Sequence, residues 1–173
     1  MKIENCINRV SFDLSNKKEF IGTERLTVGG ISGSGGGIKG CTNYGEIRTD
    51  GWSFIYCGGI AGEGASLQYC INRGKITVKT TYNNGIYTSG APAQTIGGLI
   101  GETVGKVKNC INYGDIAVQS TKEGGLNVGG IAGRKYLWNG SGLENCYNFA
   151  KNISSSNSSG IGRICGWASI QEN

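Results

Sequence analysis

Large apolar side chains recur along this chain at a fixed offset from a three-residue signature. Cys-x-Asn occurs five times, as Cys6-Ile7-Asn8, Cys41-Thr42-Asn43, Cys70-Ile71-Asn72, Cys110-Ile111-Asn112 and Cys146-Tyr147-Asn148. Six residues past the cysteine stand Phe12, Ile47, Ile76 and Ile116 in the first four copies, and Ile153 arrives one residue late in the fifth. Between the triplets lies a second element, Gly-Gly-Ile-x-Gly or a close variant, beginning at Gly29, Gly58, Gly97 and Gly129. A degraded fifth copy reads Gly162-Arg163-Ile164-Cys165-Gly166. This alternation predicts short strands joined by tight corners. Helix is disfavoured because glycine interrupts nearly every window long enough to form one.

Successive triplet cysteines are 35, 29, 40 and 36 residues apart, and self-similarity at such a period is the signature of a stacked array. The expected fold is all-β: a β-solenoid of about five repeats of roughly 35 residues with diverged capping repeats, in which like residues stack as ladders. The repeats lie near 1–33, 34–62, 63–101, 102–133 and 134–173 of one array spanning 1–173. Asn and Gly tolerate positive φ, so Asn43-Tyr44-Gly45, Asn72-Arg73-Gly74 and Asn112-Tyr113-Gly114 are expected to be tight corners, with the flanking Cys and Ile facing inward. Val10 and Ala150 replace the corner glycine in the outer copies, as expected where one face of a repeat has no neighbour. In the Gly-Gly motif, glycine is expected where backbones approach too closely for a side chain.

Composition sharpens this picture. Isoleucine outnumbers leucine twenty to seven, which suits a pleated surface, and 32 glycines with a single proline in no triplet order exclude collagen. Histidine is absent, which removes the usual general base, the commonest metal ligand and the neutral-pH switch. Neither a cofactor nor a metal is expected, and no enzyme activity. Acids are few, and Glu102, Asp115 and Glu123 read as isolated, leaving no acid-base pair for a groove-based enzyme. The net charge of +5 is spread over single basic residues rather than a stripe, so direct nucleic-acid binding is disfavoured. No segment is apolar over the roughly 18 residues that a membrane span needs.

The Gly-x-x-Gly cores at Gly30 to Gly33, Gly59 to Gly62, Gly98 to Gly101 and Gly130 to Gly133 resemble the GLUG-motif repeats of large bacterial surface and secreted proteins, some of them associated with immunoglobulin-cleaving peptidases. The resemblance implies a non-catalytic repeat module of adhesive type, with no catalytic residues to carry over.

The candidate binding residues follow from stacking. The middle residues of the corners, Arg9, Tyr44, Arg73, Tyr113 and Phe149, would form an alternating guanidinium and aromatic column if the coils align. That column is either a binding stripe or a set of neighbours that only satisfy one another. The run Thr77 to Thr88 reads as a hairpin around Asn83-Asn84-Gly85, with Tyr82 and Tyr87 near its tip, and Trp138 marks a further insertion. The five triplet cysteines read as a small apolar core ladder rather than a metal site. Cys57 and Cys165 lie outside the ladder, and their pairing stays open.

The function expected from these features is a non-catalytic interaction module that presents a rigid solenoid face and insertion loops to a protein partner, or to a glycan. The alternative is a small intracellular inhibitor, of the type carried by phages and mobile elements against host defence or nucleic-acid-processing complexes. A chain complete from Met1 would be cytoplasmic, and one excised from a larger protein would sit at the cell surface. A monomer or an end-to-end dimer is expected.

Overall fold

The computed structural model describes residues 2–15, 25–52, 54–80, 94–121, 125–137, 141–158 and 160–170. These residues form twenty-five strands and no helix, arranged as five parallel sheets of five strands each. Every coil gives one strand to each sheet in turn. In the third coil these are Ser66–Gln68, Ile71–Asn72, Ile76–Thr80, Gln94–Gly97 and Ile100–Thr103. The fold is therefore a β-solenoid, and equal offsets from the triplet fall on neighbouring strands. Ile7, Thr42, Ile71, Ile111 and Tyr147 are register partners, as are Asn8, Asn43, Asn72, Asn112 and Asn148.

The coil encloses two apolar cores. Sheets one and five face each other across the first, which holds Ile38, Leu67 and Val107 with Cys41, Cys70 and Cys110 at its corner and Ala61, Ile100 and Ala132 opposite. Sheets three and four enclose the second, with Ile47, Ile76 and Ile116 packed toward Ile55, Cys57 and Ile96. Cys41, Cys70 and Cys110 are thus buried where their spacing placed them, as are Ile47, Ile76 and Ile116, whereas Cys146 is half-buried and Cys6 in the first coil is exposed. Burying each isoleucine is worth about 1.5–3 kcal/mol, and the ladder repeats that gain coil by coil.

Between the cores runs a ladder of asparagines. Asn8 Nδ2 donates to Asn43 Oδ1, Asn43 to Asn72, Asn72 to Asn112 and Asn112 to Asn148, at 2.7 to 2.9 Å. Each central asparagine also closes its own corner. Asn72 Nδ2 donates to the Gly74 carbonyl at 2.9 Å, and Gly74 N–H donates back to Asn72 Oδ1 at 3.2 Å. Every hydrogen-bonding valence of the side chain is used, so Asn43, Asn72 and Asn112 can be wholly buried.

The expectation that these corners need positive φ is corrected. None of Asn43, Asn72, Asn112, Gly45, Gly74 and Gly114 is left-handed. In every coil the residue before the cysteine is left-handed instead: Asn5, Gly40, Tyr69, Asn109 and Asn145, with φ between 48° and 63°. Glycine follows the triplet because of the coil below: a Cβ on Gly74 would run into the Gly45 carbonyl, and one on Gly114 into that of Gly74. The Gly-Gly motif obeys the same close-approach logic in the opposite direction, as its composition predicts. A Cβ on Gly30, Gly59, Gly98 or Gly130 would strike the ladder asparagine of the next coil, and with it that coil's carbonyl.

This pair of requirements explains the divergent outer coils. Val10 stands where Gly45 would meet a lower coil and is exposed, while Arg163 stands where Gly130 meets an upper one. At the equivalent inner positions a Cβ would run into the carbonyl of a neighbouring coil, so a side chain at either place is compatible only with a coil that has no such neighbour stacked on it. Ala150, in the fifth coil, keeps a coil beneath it. There the corner is one residue longer, and Asp115 Oδ1 holds it by accepting from Lys151 N–H and Asn152 N–H at 2.8 and 3.0 Å. The double substitution Val10→Gly with Arg163→Gly is expected to open both ends and give concentration-dependent head-to-tail oligomers. Light scattering across a dilution series reads this, and either single variant should stay like the parent, because the other side chain still blocks the joint.

Candidate binding stripe

The five corner residues do form one column. The N–H of each except Arg9 is pinned to the asparagine carbonyl of the coil below, Tyr44 to Asn8 at 2.8 Å, Arg73 to Asn43 at 2.7 Å, Tyr113 to Asn72 at 2.8 Å and Phe149 to Asn112 at 2.7 Å. Side chains so pinned stack at the strand spacing of about 4.8 Å. The Arg9 guanidinium lies 4.8 Å from the centre of the Tyr44 ring, and that of Arg73 lies 5.9 Å from Tyr44 and 4.6 Å from Tyr113. Phe149 continues the stack on Tyr113, with centroids 5.4 Å apart and planes 24° from parallel. Its other neighbour is Tyr147, at 6.2 Å and 6°. The rings of Tyr44, Tyr113 and Phe149 remain 39 to 56% exposed.

Stacking decides what the column offers to solvent. Each tyrosine ring has both faces taken by the residues above and below, so the ring edge and the phenol oxygen are what remain. A guanidinium carries its five N–H donors in its plane, and they stay available when its faces are stacked. A groove of about 460 Å³ runs beside the column, with Glu46, Lys75 and Asp115 in the next row, two residues further along each coil. Asp115 is held below the usual carboxylate range, chiefly by the backbone N–H of Asn152, so it stays charged.

Not every candidate residue joins this site. Tyr82, Tyr87 and Trp138 lie outside the described residues, as do Glu123 and the proposed hairpin turn. Tyr147 was missing from the candidates, although it is the central residue of its own triplet and 54% exposed.

Glu102 is not isolated, contrary to its reading in the sequence. It is the register partner of Glu63, one strand away, because coiling brings together residues 39 positions apart. Each acid has its own arginine. Arg25 donates to Glu63 Oε1 at 2.8 Å, and Arg134 approaches Glu102 Oε2 at 3.6 Å. Burial, outweighing the pull of Arg134, raises the Glu102 carboxyl above its usual range. Arg134 in turn lies 4.4 Å from the Tyr136 ring and 4.6 Å from that of Trp167. A sequence signal for this row existed: Ser34, Glu63, Glu102, Arg134 and Trp167 each follow directly on a Gly-Gly motif copy.

All seven cysteines are free thiols, and Cys57 sits in the second core while Cys165 packs against the first, so those two do not meet. Burial pushes the Cys57 thiol up to about 12 and raises Cys41 as well, which keeps both protonated, whereas Cys70 and Cys146, each hydrogen-bonded to Cys110, are held below the usual thiol range. Among the described residues no group of three or more Cys, Asp or Glu side chains is placed to hold a metal ion, and no helix is long and apolar enough to cross a membrane. The chain matches no protein-family model, no curated protein and no solved structure, so the stripe itself carries the functional argument.

Proposed function

We propose that this chain is a non-catalytic binding module that engages a protein partner through the stripe of Arg9, Tyr44, Arg73, Tyr113 and Phe149 and the groove beside it. The observation that carries the reading is the exposure of an uninterrupted arginine and aromatic column on a rigid scaffold. Arginine and tyrosine are the residue types that dominate interface hot spots. A glycan is the weaker choice of partner, because sugar rings pack on aromatic faces and these faces are already stacked. In-plane guanidinium donors and phenol groups suit carboxylates and main-chain carbonyls of a protein. The adhesive character implied by the GLUG-like repeats agrees with this role.

The test is a substitution series, Tyr44→Ala, Arg73→Ala and Tyr113→Ala, with the immobilised chain used to capture proteins from a lysate of the source organism. Proteins held by the parent should be lost at least tenfold, about 1.4 kcal/mol, from the variants. The melting temperature should move by only about 2–4 °C, since an exposed cation–π contact is worth roughly 0.5–1 kcal/mol. Unchanged capture together with a large drop in melting temperature would reduce the column to internal support. Retention of glycans in place of proteins on the same surface would also count against the reading.

A further inference from the structure

The outer face of sheet one presents two columns of side chains. At four residues before each cysteine stand Lys2, Gly37, Ser66, Lys106 and Gly142, and at two before it stand Glu4, Lys39, Gln68, Lys108 and Glu144. Register pairing sets them side by side in coil order. Because the middle of the first column is glycine and serine, the face sinks there to bare backbone, forming an open trough of about 390 Å³. An added Cβ on Gly37 would meet nothing within 4 Å, so this floor is open space rather than a packing requirement.

Four lysines surround that floor. Lys2 and Lys106 stand three strand spacings apart, roughly 14 Å, and Lys39 and Lys108 stand two apart, roughly 10 Å. Among the described residues the ammonium groups of Lys2 and Lys39 have no ion-pair or hydrogen-bond partner. Lys106 and Lys108 share one acid, Glu144, at 2.6 and 3.6 Å. The four lysines outnumber the two acids on this face, Glu144 and Glu4, the register partner of Lys39.

We infer that this trough is a site for a linear oligophosphate, lying along the solenoid axis over Gly37 and Ser66 and held by Lys2, Lys39, Lys106 and Lys108. Lysine binds phosphate oxygens as a compact point charge, and four such charges spread over roughly 14 Å suit an anion carrying several phosphate groups in a row. No aromatic side chain lines the trough, so it has no platform on which nucleic-acid bases would stack. The Ser66 hydroxyl supplies a neutral contact on the floor. This face is distinct from the arginine and aromatic column, so the two assignments stand or fall separately.

The experiment is calorimetric titration of the full chain with tripolyphosphate at low and moderate salt. Binding should weaken as salt rises, since exposed charges are screened. Gly37→Glu puts a carboxylate on the floor at a position with free space, and it should cost at least tenfold in affinity with an unchanged melting temperature. Gly37→Gln, of the same size, should cost less. Glu144→Gln releases Lys106 and Lys108 and should tighten binding severalfold. Failure of tripolyphosphate to bind, equal binding by Gly37→Glu, equal binding of citrate, or a preference for a single-stranded oligonucleotide over tripolyphosphate would each overturn the assignment.

Discussion

Gly98→Ala is expected to destabilise the fold severely, although it adds a single methyl group. That methyl would lie closer than 3.0 Å to the Gly130 carbonyl oxygen and to both Cγ and Nδ2 of Asn112. Neither obstacle can move away cheaply. The Gly130 peptide belongs to the next coil, and Asn112 is fixed by hydrogen bonds to Asn72, Asn148 and Gly114. Relief requires the third and fourth coils to separate at the junction of the two cores, which costs more than the usual 1–3 kcal/mol of an overpacked site. A loss above about 4 kcal/mol is the expected result in chemical denaturation. Gly37→Ala is the internal control: it adds the same methyl in open space and ordinary φ, and it should be neutral or stabilising by up to about 1 kcal/mol. Comparable losses at the two positions would mean that strand propensity rather than inter-coil contact governs the glycines.

Asn72→Ala is the second large effect, with an expected cost of about 3–5 kcal/mol. The substitution deletes four hydrogen bonds at once: donations to Gly74 and Asn112, and acceptances from Asn43 and from Gly74 N–H. Asn43, Asn112 and Gly74 each keep a buried donor or acceptor position that nothing fills any more, at about 1 kcal/mol or more apiece. The end of the ladder should respond differently. Asn8 is half-buried and has solvent on one side, so Asn8→Ala should cost no more than about 1–2 kcal/mol. Urea denaturation of both variants measures the difference. Equal values at the centre and the end would show that the asparagines act independently rather than as a connected chain.

These effects bear on how far the primary structure could be read. The period, the strand class, the inward cysteines and the column at Arg9, Tyr44, Arg73, Tyr113 and Phe149 were all legible, because parallel coiling turns an equal offset from a repeated triplet into a nearest neighbour in space. The same rule sets out the rows Ser34 to Trp167 and Lys2 to Gly142, each at one constant offset from a repeated motif. The contacts of Arg25 with Tyr56 and Glu63 were not legible in this way. The segments leading into sheet four differ in length from coil to coil, and offset then stops predicting register.

Which residues repeat, and that they stack, is a matter of local pattern, and the amino-acid sequence determined it alone. What each glycine is for was decided only by the tertiary structure. Glycine's tolerance of positive φ is a property of one residue, whereas the need for glycine at Gly74 or Gly98 arises from the carbonyl of another coil, 29 residues before the one and 32 after the other. Val10 and Arg163 follow the same logic: no local pattern sets them apart, and they acquire meaning only because the equivalent inner positions, Gly45 and Gly130, lie against the carbonyl of a neighbouring coil.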